Sequence, residues 1–299
     1  MKMCFLGPLG TNSHEFALRA KKFLESKQPP YAEYVNVDIE LCPCKTNTEV
    51  LAMASREQCL GVVALENSTG GLVDETKQFW LQSDTVNPLT CVIGEFRLSV
   101  EHHLLAPAHV TDVSQLTAVM SHPQALLQCS RFFDTNPTIE KLTSTSTAAA
   151  AKTVSEMRVA QMVGAIAPRL SAEIYGLPIL MGHLENSLRN TTRFHLLAPR
   201  PSPIYPTGTD RTAIIFETPD VSGALVDALN TIRPGGINLS SIHSIPLGEE
   251  DKFAFYCEFN RHRLDPEGSA ILTRLQTLTS RLIVLGSFPQ ETKQNGGVK

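Results

Sequence analysis

A chain of 299 residues with 42% hydrophobic side chains is long enough for about two domains. Its net charge is −4, only 19% of residues are charged and no basic block occurs, so a nucleic-acid surface is excluded and an anionic small molecule must be met by a local set of donors. No stretch approaches the roughly 18 apolar residues of a membrane span, and the opening MKMCFLGPLGTNSHE lacks both a secretory apolar region and the arginines of a mitochondrial leader. Seven cysteines, an odd count without framework spacing, read as free thiols of a reducing compartment. Cys42-Pro43-Cys44 is too close for the common zinc spacing. A cytoplasmic location is expected.

KMCFLG (2–7) reads as a strand and SHEFALRAKKFLES (13–26) as an amphipathic helix. Gly7-Pro8-Leu9-Gly10 turns the chain between them, and Thr11 to Ser13 expose amides at a helix start, which suit carboxylate or phosphate. A plain turn with Ser13 as cap is the other reading. The spacing fits neither a dinucleotide fingerprint nor a P-loop. CLGVVALE (59–66) is a buried strand, and Glu66, Asn67 and Ser68 stand at its carboxyl end, where α/β sheets bind ligands. An Asx-type turn accounts for Asn67 and Ser68 but not for Glu66.

TAVMSH (117–122) reads as a strand and PQALLQCSRFF (123–133) as a helix with proline near its first turn. STAAAAKTVSEM (146–157) is a helix capped by Ser146 or Thr147. The run TSTSTAAAA holds more hydroxyls than a cap requires. GAIAP (164–168) is a short strand, followed by a helix around 169–175 and the turn YGLP. In NTTRFHLLAP (190–199) the strand spans Phe194 to Ala198, preceded by Asn190, Thr191, Thr192 and Arg193. That cluster is either a turn before an exposed edge or a site that grips an anion and supplies a hydroxyl proton. Strands alternating with helices imply an α/β sheet.

RPSPIYPTGTD (200–210), with three prolines and a glycine, reads as a linker. Beyond it come a strand RTAIIFET (211–218), a helix SGALVDALNTIR (222–233) and a strand INLSSIHSI (237–245). After the turn GEED follow a strand KFAFYCEFN (252–260), a helix opened by Asp265-Pro266-Glu267 and running to about Ser280, and a strand RLIVLGS (281–287). This is the βαββαβ order. The polar tail QETKQNGGVK (290–299) is expected to be disordered. The histidines have no metal-ligand spacing and no G-x-S-x-G elbow occurs. Several element ends therefore present hydroxyls and amides, with Arg193 as one cation, a pattern suited to a small polycarboxylate.

Taken in order, LGPLGTNSHEFA, LENSTGGLV, SHPQALLQC, STAAAA, AIAPRLSAEIYGLPIL and NTTRF (Asn190, Thr192, Arg193, Phe194) resemble the prephenate dehydratase family over almost the whole chain. SGAL (222–225), GINLSSIHSIP (236–246) and LGSFP (285–289) resemble its ACT regulatory domain. The resemblance implies an α/β fold. A two-lobed, periplasmic-binding-protein-like catalytic domain occupies 1–200, with lobe one at about 1–77 and 189–200 and lobe two at about 78–188. A linker at 201–209 leads to a ferredoxin-like ACT domain at 210–289.

The resemblance implies decarboxylative dehydration of prephenate to phenylpyruvate, carbon dioxide and water, without a cofactor or metal. Thr192, Arg193 and Glu66 would be catalytic, with Thr192 donating to the departing oxygen and Arg193 pairing with a carboxylate or orienting its neighbour. Thr11, Ser13, Asn67, Ser68, Ser146, Thr147, Asn190 and Phe194 would bind substrate. Gly223, Ala224, Leu225, Asn238, Leu239 and Ser244 would bind L-phenylalanine as effector, in a homodimer or dimer of dimers. The chain departs from the family at His243-Ser244-Ile245-Pro246, where E-S-R-P is usual, which weakens the expected coupling to phenylalanine. No chorismate mutase segment is recognised, so a monofunctional enzyme is expected. Arogenate dehydratase and a non-catalytic small-carboxylate sensor are the alternatives.

Overall fold

A computed structural model describes residues 1–25, 31, 34, 37–56, 59–82, 90–158, 160–187, 189–200, 205–248 and 252–290. Residues 201–204 of the expected linker, 249–251 of the GEED turn and 291–299 of the expected tail lie outside the described residues. The described strands form three sheets.

The first sheet has the order β2-β1-β3-β11-β5, from β1 (Lys2–Leu6), β2 (Glu40–Cys44), β3 (Leu60–Asn67), β5 (Thr90–Ser99) and β11 (Thr191–Pro199), with the short β4 (Gly71–Leu72) on β3. The helices α1 (Asn12–Glu25), α2 (Asn47–Arg56) and α3 (Asp74–Gln82) belong to the same region. β1 runs parallel to β2 and β3, whereas β11 runs antiparallel to β3 and β5. The expected turn at 190–193 is already strand from Thr191. Because β11 is bonded on both sides it is an interior strand, not an exposed edge.

β5 pairs with β11 from Thr90↔Pro199 to Ser99↔Thr191. That ladder keeps the chain in the first sheet as far as Ser99, so the lobe boundary expected near residue 77 falls too early.

The second sheet, β10-β6-β9-β7-β8, takes β6 (His103–Leu105), β7 (Ala118–Ser121), β8 (Glu140–Thr143), β9 (Val163–Ala167) and β10 (Ile179–Met181). Its helices are α4 (Pro123–Gln128), α5 (Ser130–Thr135), α6 (Thr147–Glu156) and α7 (Arg169–Tyr175). The single helix expected over 123–133 is broken at Cys129, whose φ −111° and ψ 24° leave the helical basin.

The third sheet, β13-β14-β12-β15, takes β12 (Asp210–Glu217), β13 (Leu239–Pro246), β14 (Phe253–Phe259) and β15 (Arg281–Pro289). With α8 (Ala224–Asn230) and α9 (Pro266–Leu278) it completes the βαββαβ order in the ferredoxin-like arrangement. One face packs on the two helices through Ile214, Phe216, Ala228, Ile271 and Leu275. The other lies on the first sheet, where Ile215, Tyr256, Leu285 and Phe288 meet Val63, Leu65, Val92 and Leu197 in one core. Contact there reaches the backbone: a Cβ on Gly286 would stand 2.1 Å from the Val92 carbonyl oxygen. Arg200 fastens the seam, donating to the Thr90 carbonyl at 3.1 Å and the Val284 carbonyl at 2.6 Å.

No helix among the described residues is long and apolar enough to cross a membrane, and no disulfide joins any of the seven cysteines. Burial lowers the basicity of His14, His102 and His103, and pushes fully buried His195 down to about 3. An unfolded imidazole takes a proton below about pH 6.5 that these native sites refuse, so this stability is present above that pH and lost as pH falls. From His195 alone, stability is expected to drop by about 2 kcal/mol between pH 7 and 5. Urea midpoints at the two pH values measure this, and equal midpoints would contradict it.

Candidate active site

The end of β3 lies beside the start of β11, with Asn67 opposite Thr192 and Glu66 opposite Arg193. Strand alternation sends adjacent side chains to opposite faces. Asn67 and the buried Thr192 therefore share one face of the strand pair, called the crevice face below, and Glu66 and Arg193 share the reverse.

On the crevice face the Asn67 amide nitrogen donates to Asn190 Oδ1 at 3.0 Å and to Thr192 Oγ1 at 2.9 Å. Its oxygen accepts from the amides of Thr69 (3.0 Å) and Gly70 (3.2 Å) and from the Thr69 hydroxyl. This is the Asx turn that the sequence offered as the simpler reading, and it fixes which way the amide points. Thr192 thus receives a hydrogen bond from Asn67, and among the described residues no acceptor takes its own proton. Ser68 stitches the turn to β11: its hydroxyl donates to the Arg189 carbonyl at 3.1 Å and accepts from the Thr191 amide at 3.0 Å.

At the start of α1, Gly10 adopts φ +89°, a region glycine enters without strain. The Thr11 hydroxyl donates toward the Leu6 carbonyl at 2.9 Å and accepts from the His14 amide at 3.2 Å. Thr11 is therefore the cap, and Ser13 lies buried within the first helical turn. His14 Nδ1 accepts from the Gly10 amide at 3.1 Å while its ring stacks on Phe5.

Helices of the second sheet close on both turns. Ser171 donates to the Gly10 carbonyl at 2.9 Å, Tyr175 to the Leu9 carbonyl at 2.8 Å, and Gln128 to the Thr69 hydroxyl at 3.3 Å. Sequence reasoning named none of these three, although each lies inside a segment quoted above. Their signal was a polar residue at one helix face of SHPQALLQC and of RLSAEIYG.

Ser146 is the N-cap of α6, accepting from the Ala149 amide at 3.0 Å, and Thr147 opens that helix. Thr143, Ser144 and Thr145 line a hollow of about 590 Å³ with Met120 and Pro123.

The reverse face bears on three of the expected site residues, and of the two roles expected for Arg193 it fits the one of orienting its neighbour from behind. Arg193 is buried and does not face the crevice. Its guanidinium donates to Glu66 at 2.9 Å, to Glu95 and to Glu258 of the third sheet. Arg211 reaches Glu95 and Glu258, each at 3.0 Å. Tyr256 donates to Glu258, and His243 Nε2 stands 3.4 Å from Glu66. Burial works against the Arg193 charge, but the carboxylates of Glu258 and Glu95 outweigh it and hold the guanidinium protonated. Glu66 is the partner of this cation on the same face. Phe194 stacks on Phe16 at 4.8 Å inside the core of the first sheet, so it is packed against protein, not a substrate ring. Glu95, His195 and Glu258 lie close enough to share a metal ion, but their carboxylates already hold Arg193 and Arg211, whose charge opposes one.

In the third sheet, Gly223, Ala224 and Leu225 line a hollow of about 510 Å³ with Glu217, Phe253 and Phe255. Asn238, Leu239 and Ser244 are not among its lining residues.

Residues 3–202 match the family model described as prephenate dehydratase. The chain is 32% identical over 286 residues to the prephenate dehydratase of Methanocaldococcus jannaschii, covering 94% of this chain and 96% of that protein. The prephenate dehydratase of Arthrobacter aurescens, solved in complex with L-Phe, superposes with TM-score 0.78 at 25% identity, over 97% of this chain and 90% of that one. GqqA, described as a novel type of quorum quenching acylase, superposes with TM-score 0.77 at 25% identity over 97% of each chain. The family model and the relative of nearly equal length together establish that the chain belongs to the prephenate dehydratase family.

Proposed function

We propose that this chain is a prephenate dehydratase, expelling the ring carboxylate as CO2 and the C4 hydroxyl as water to leave phenylpyruvate. Family membership supports the reaction. The observation that carries the mechanism is the Thr192 hydroxyl, which accepts from Asn67 and keeps its proton for another acceptor. Loss of both groups makes an aromatic ring, so the step is strongly downhill and needs only anchoring and help for the leaving oxygen. A threonine is a weak acid, so its contribution is a hydrogen bond that strengthens as charge develops, worth about 3 kcal/mol.

With Arg193 turned to the reverse face, the carboxylates fall to neutral donors: amides at the start of α1 and the side-chain amide of Asn190. Arg193 and Glu66 then serve the strand from behind. The test is purified protein with prephenate, following phenylpyruvate absorbance in alkali. No signal would reject the enzyme and favour a carboxylate sensor. Arogenate run alongside decides the preferred substrate. A neighbour of the same fold described as an acylase makes the direct assay necessary, since fold alone does not fix a reaction.

Residues 1–200 form the catalytic unit in this reading, and 210–289 an ACT-type regulatory unit. L-phenylalanine is its effector, bound in the hollow at Gly223, Ala224 and Leu225, a reading supported by the L-Phe complex of the Arthrobacter relative. Exposed Val226, Ile242 and Phe253 supply apolar surface for a homodimer or dimer of dimers, in the cytoplasm. Prephenate turnover is expected to fall as L-phenylalanine rises, and a flat response would reject the effector.

A further inference from the structure

Besides the apolar core that Leu197 shares with it, the third sheet meets the catalytic strand through a carboxylate on the Arg193 guanidinium. Glu258 is fully buried on β14 and accepts from the Arg193 guanidinium. Its second oxygen takes Arg211 at 3.0 Å, and the Tyr256 hydroxyl donates to it as well. Arg193 follows Thr192 directly in β11. Glu66 and Glu95, the other partners of Arg193, stand on β3 and β5, the strands bonded to β11. Those two move with the catalytic strand. Among the described partners of Arg193, Glu258 is the one that belongs to a different sheet.

We propose that Glu258 is a positioning residue for the dehydration step: by holding Arg193 it fixes the backbone at Thr192 and so the direction of the reactive hydroxyl. The inference rests on the role of Thr192 given above. The ladder between β11 and β3 is irregular between Arg193 and Phe194, so on that side a side-chain anchor has something to add. Strand alternation in β14 also connects this anchor to the hollow: Phe253 and Phe255 line the hollow, while Tyr256 and Glu258 point into the seam. Small misplacements of a reacting group are costly because the donor must meet the departing oxygen at hydrogen-bond distance.

The test is Glu258→Gln in the full chain with prephenate as substrate. The change keeps side-chain shape and leaves two carboxylates for two guanidinia, so no excess negative charge is stranded. We expect kcat to fall about tenfold while KM stays within about twofold, with the melting temperature still above that of the assay. A purely structural role lowers the melting temperature but leaves kcat per folded molecule unchanged, and that result overturns the inference. A raised KM at wild-type kcat overturns it too. Should the variant not fold, Tyr256→Phe removes a donor to Glu258 and is expected to lower kcat in the same direction by less; an unchanged kcat there is equally fatal. If the unaltered chain makes no phenylpyruvate, both this inference and the dehydratase reading fail. Wild-type kcat in Glu258→Gln from an active parent sinks this inference alone.

Discussion

Thr192→Val is expected to lower kcat for prephenate at least about a hundredfold while KM changes little. Valine keeps the branched shape and β propensity of threonine, so β11 retains its ladder on both sides. What disappears is one hydroxyl, which accepts from Asn67 and has a proton to give. The Asn67 amide loses one acceptor but keeps Asn190 at 3.0 Å, so the stability cost stays near 1–2 kcal/mol. Because the interaction strengthens only as the leaving oxygen gains charge, the loss belongs to kcat, not to ground-state binding. Thr192→Ser, which restores the hydroxyl without the methyl, is expected to recover most of the rate. Steady-state kinetics of both variants decide the point, and a valine enzyme at wild-type speed would remove Thr192 from the mechanism.

Arg193→Met is expected to cost folding stability and, by releasing Thr192, at least the kcat lost in Glu258→Gln. Two guanidinia and three carboxylates share the buried seam between the first and third sheets. Removing Arg193 leaves Glu66, Glu95 and Glu258 with Arg211 as their buried arginine, Arg97 reaching Glu95 only from the exposed side at 4.0 Å. Breaking a buried ion pair from one side costs about 3–5 kcal/mol, since desolvated charge is left without its partner. Chemical denaturation should report a loss of that size. A substrate-gripping arginine gives the opposite signature, with stability nearly unchanged and KM sharply raised, and that outcome would return Arg193 to the crevice.

The order of elements was legible only in part: strands such as CLGVVALE and RTAIIFET are unbroken apolar runs with Pro or Gly at their ends, but β5, β6, β8, β10, α2 and α3 were not read. The βαββαβ order of the third sheet followed from the same signals. β2 was not, since ELCPC carries a proline and little alternation and takes its form from parallel pairing with β1. The break at Cys129 also has no composition signal. At the site, the segments were legible but the direction of each side chain was not. Thr192 and Arg193 are neighbours in sequence and face opposite ways in the sheet, so a motif read as one cluster divides into a crevice residue and a seam residue. Sequence spacing could not show that the seam exists, because Glu95, Glu258 and Arg211 come from strands far apart in the chain and meet only when two sheets stack.

The backbone contact at Gly286 and the carboxylate at 258, on the two strands that flank β12, have a bearing on how such proteins can change over evolutionary time. A C-terminal module borrowed from elsewhere would need a glycine at that point of its last strand and an acid at the matching place on its third. Without them it would neither seat nor satisfy the arginine beneath. The two halves of this chain are thus a matched set, and replacing the C-terminal one means carrying its mating surface along with it.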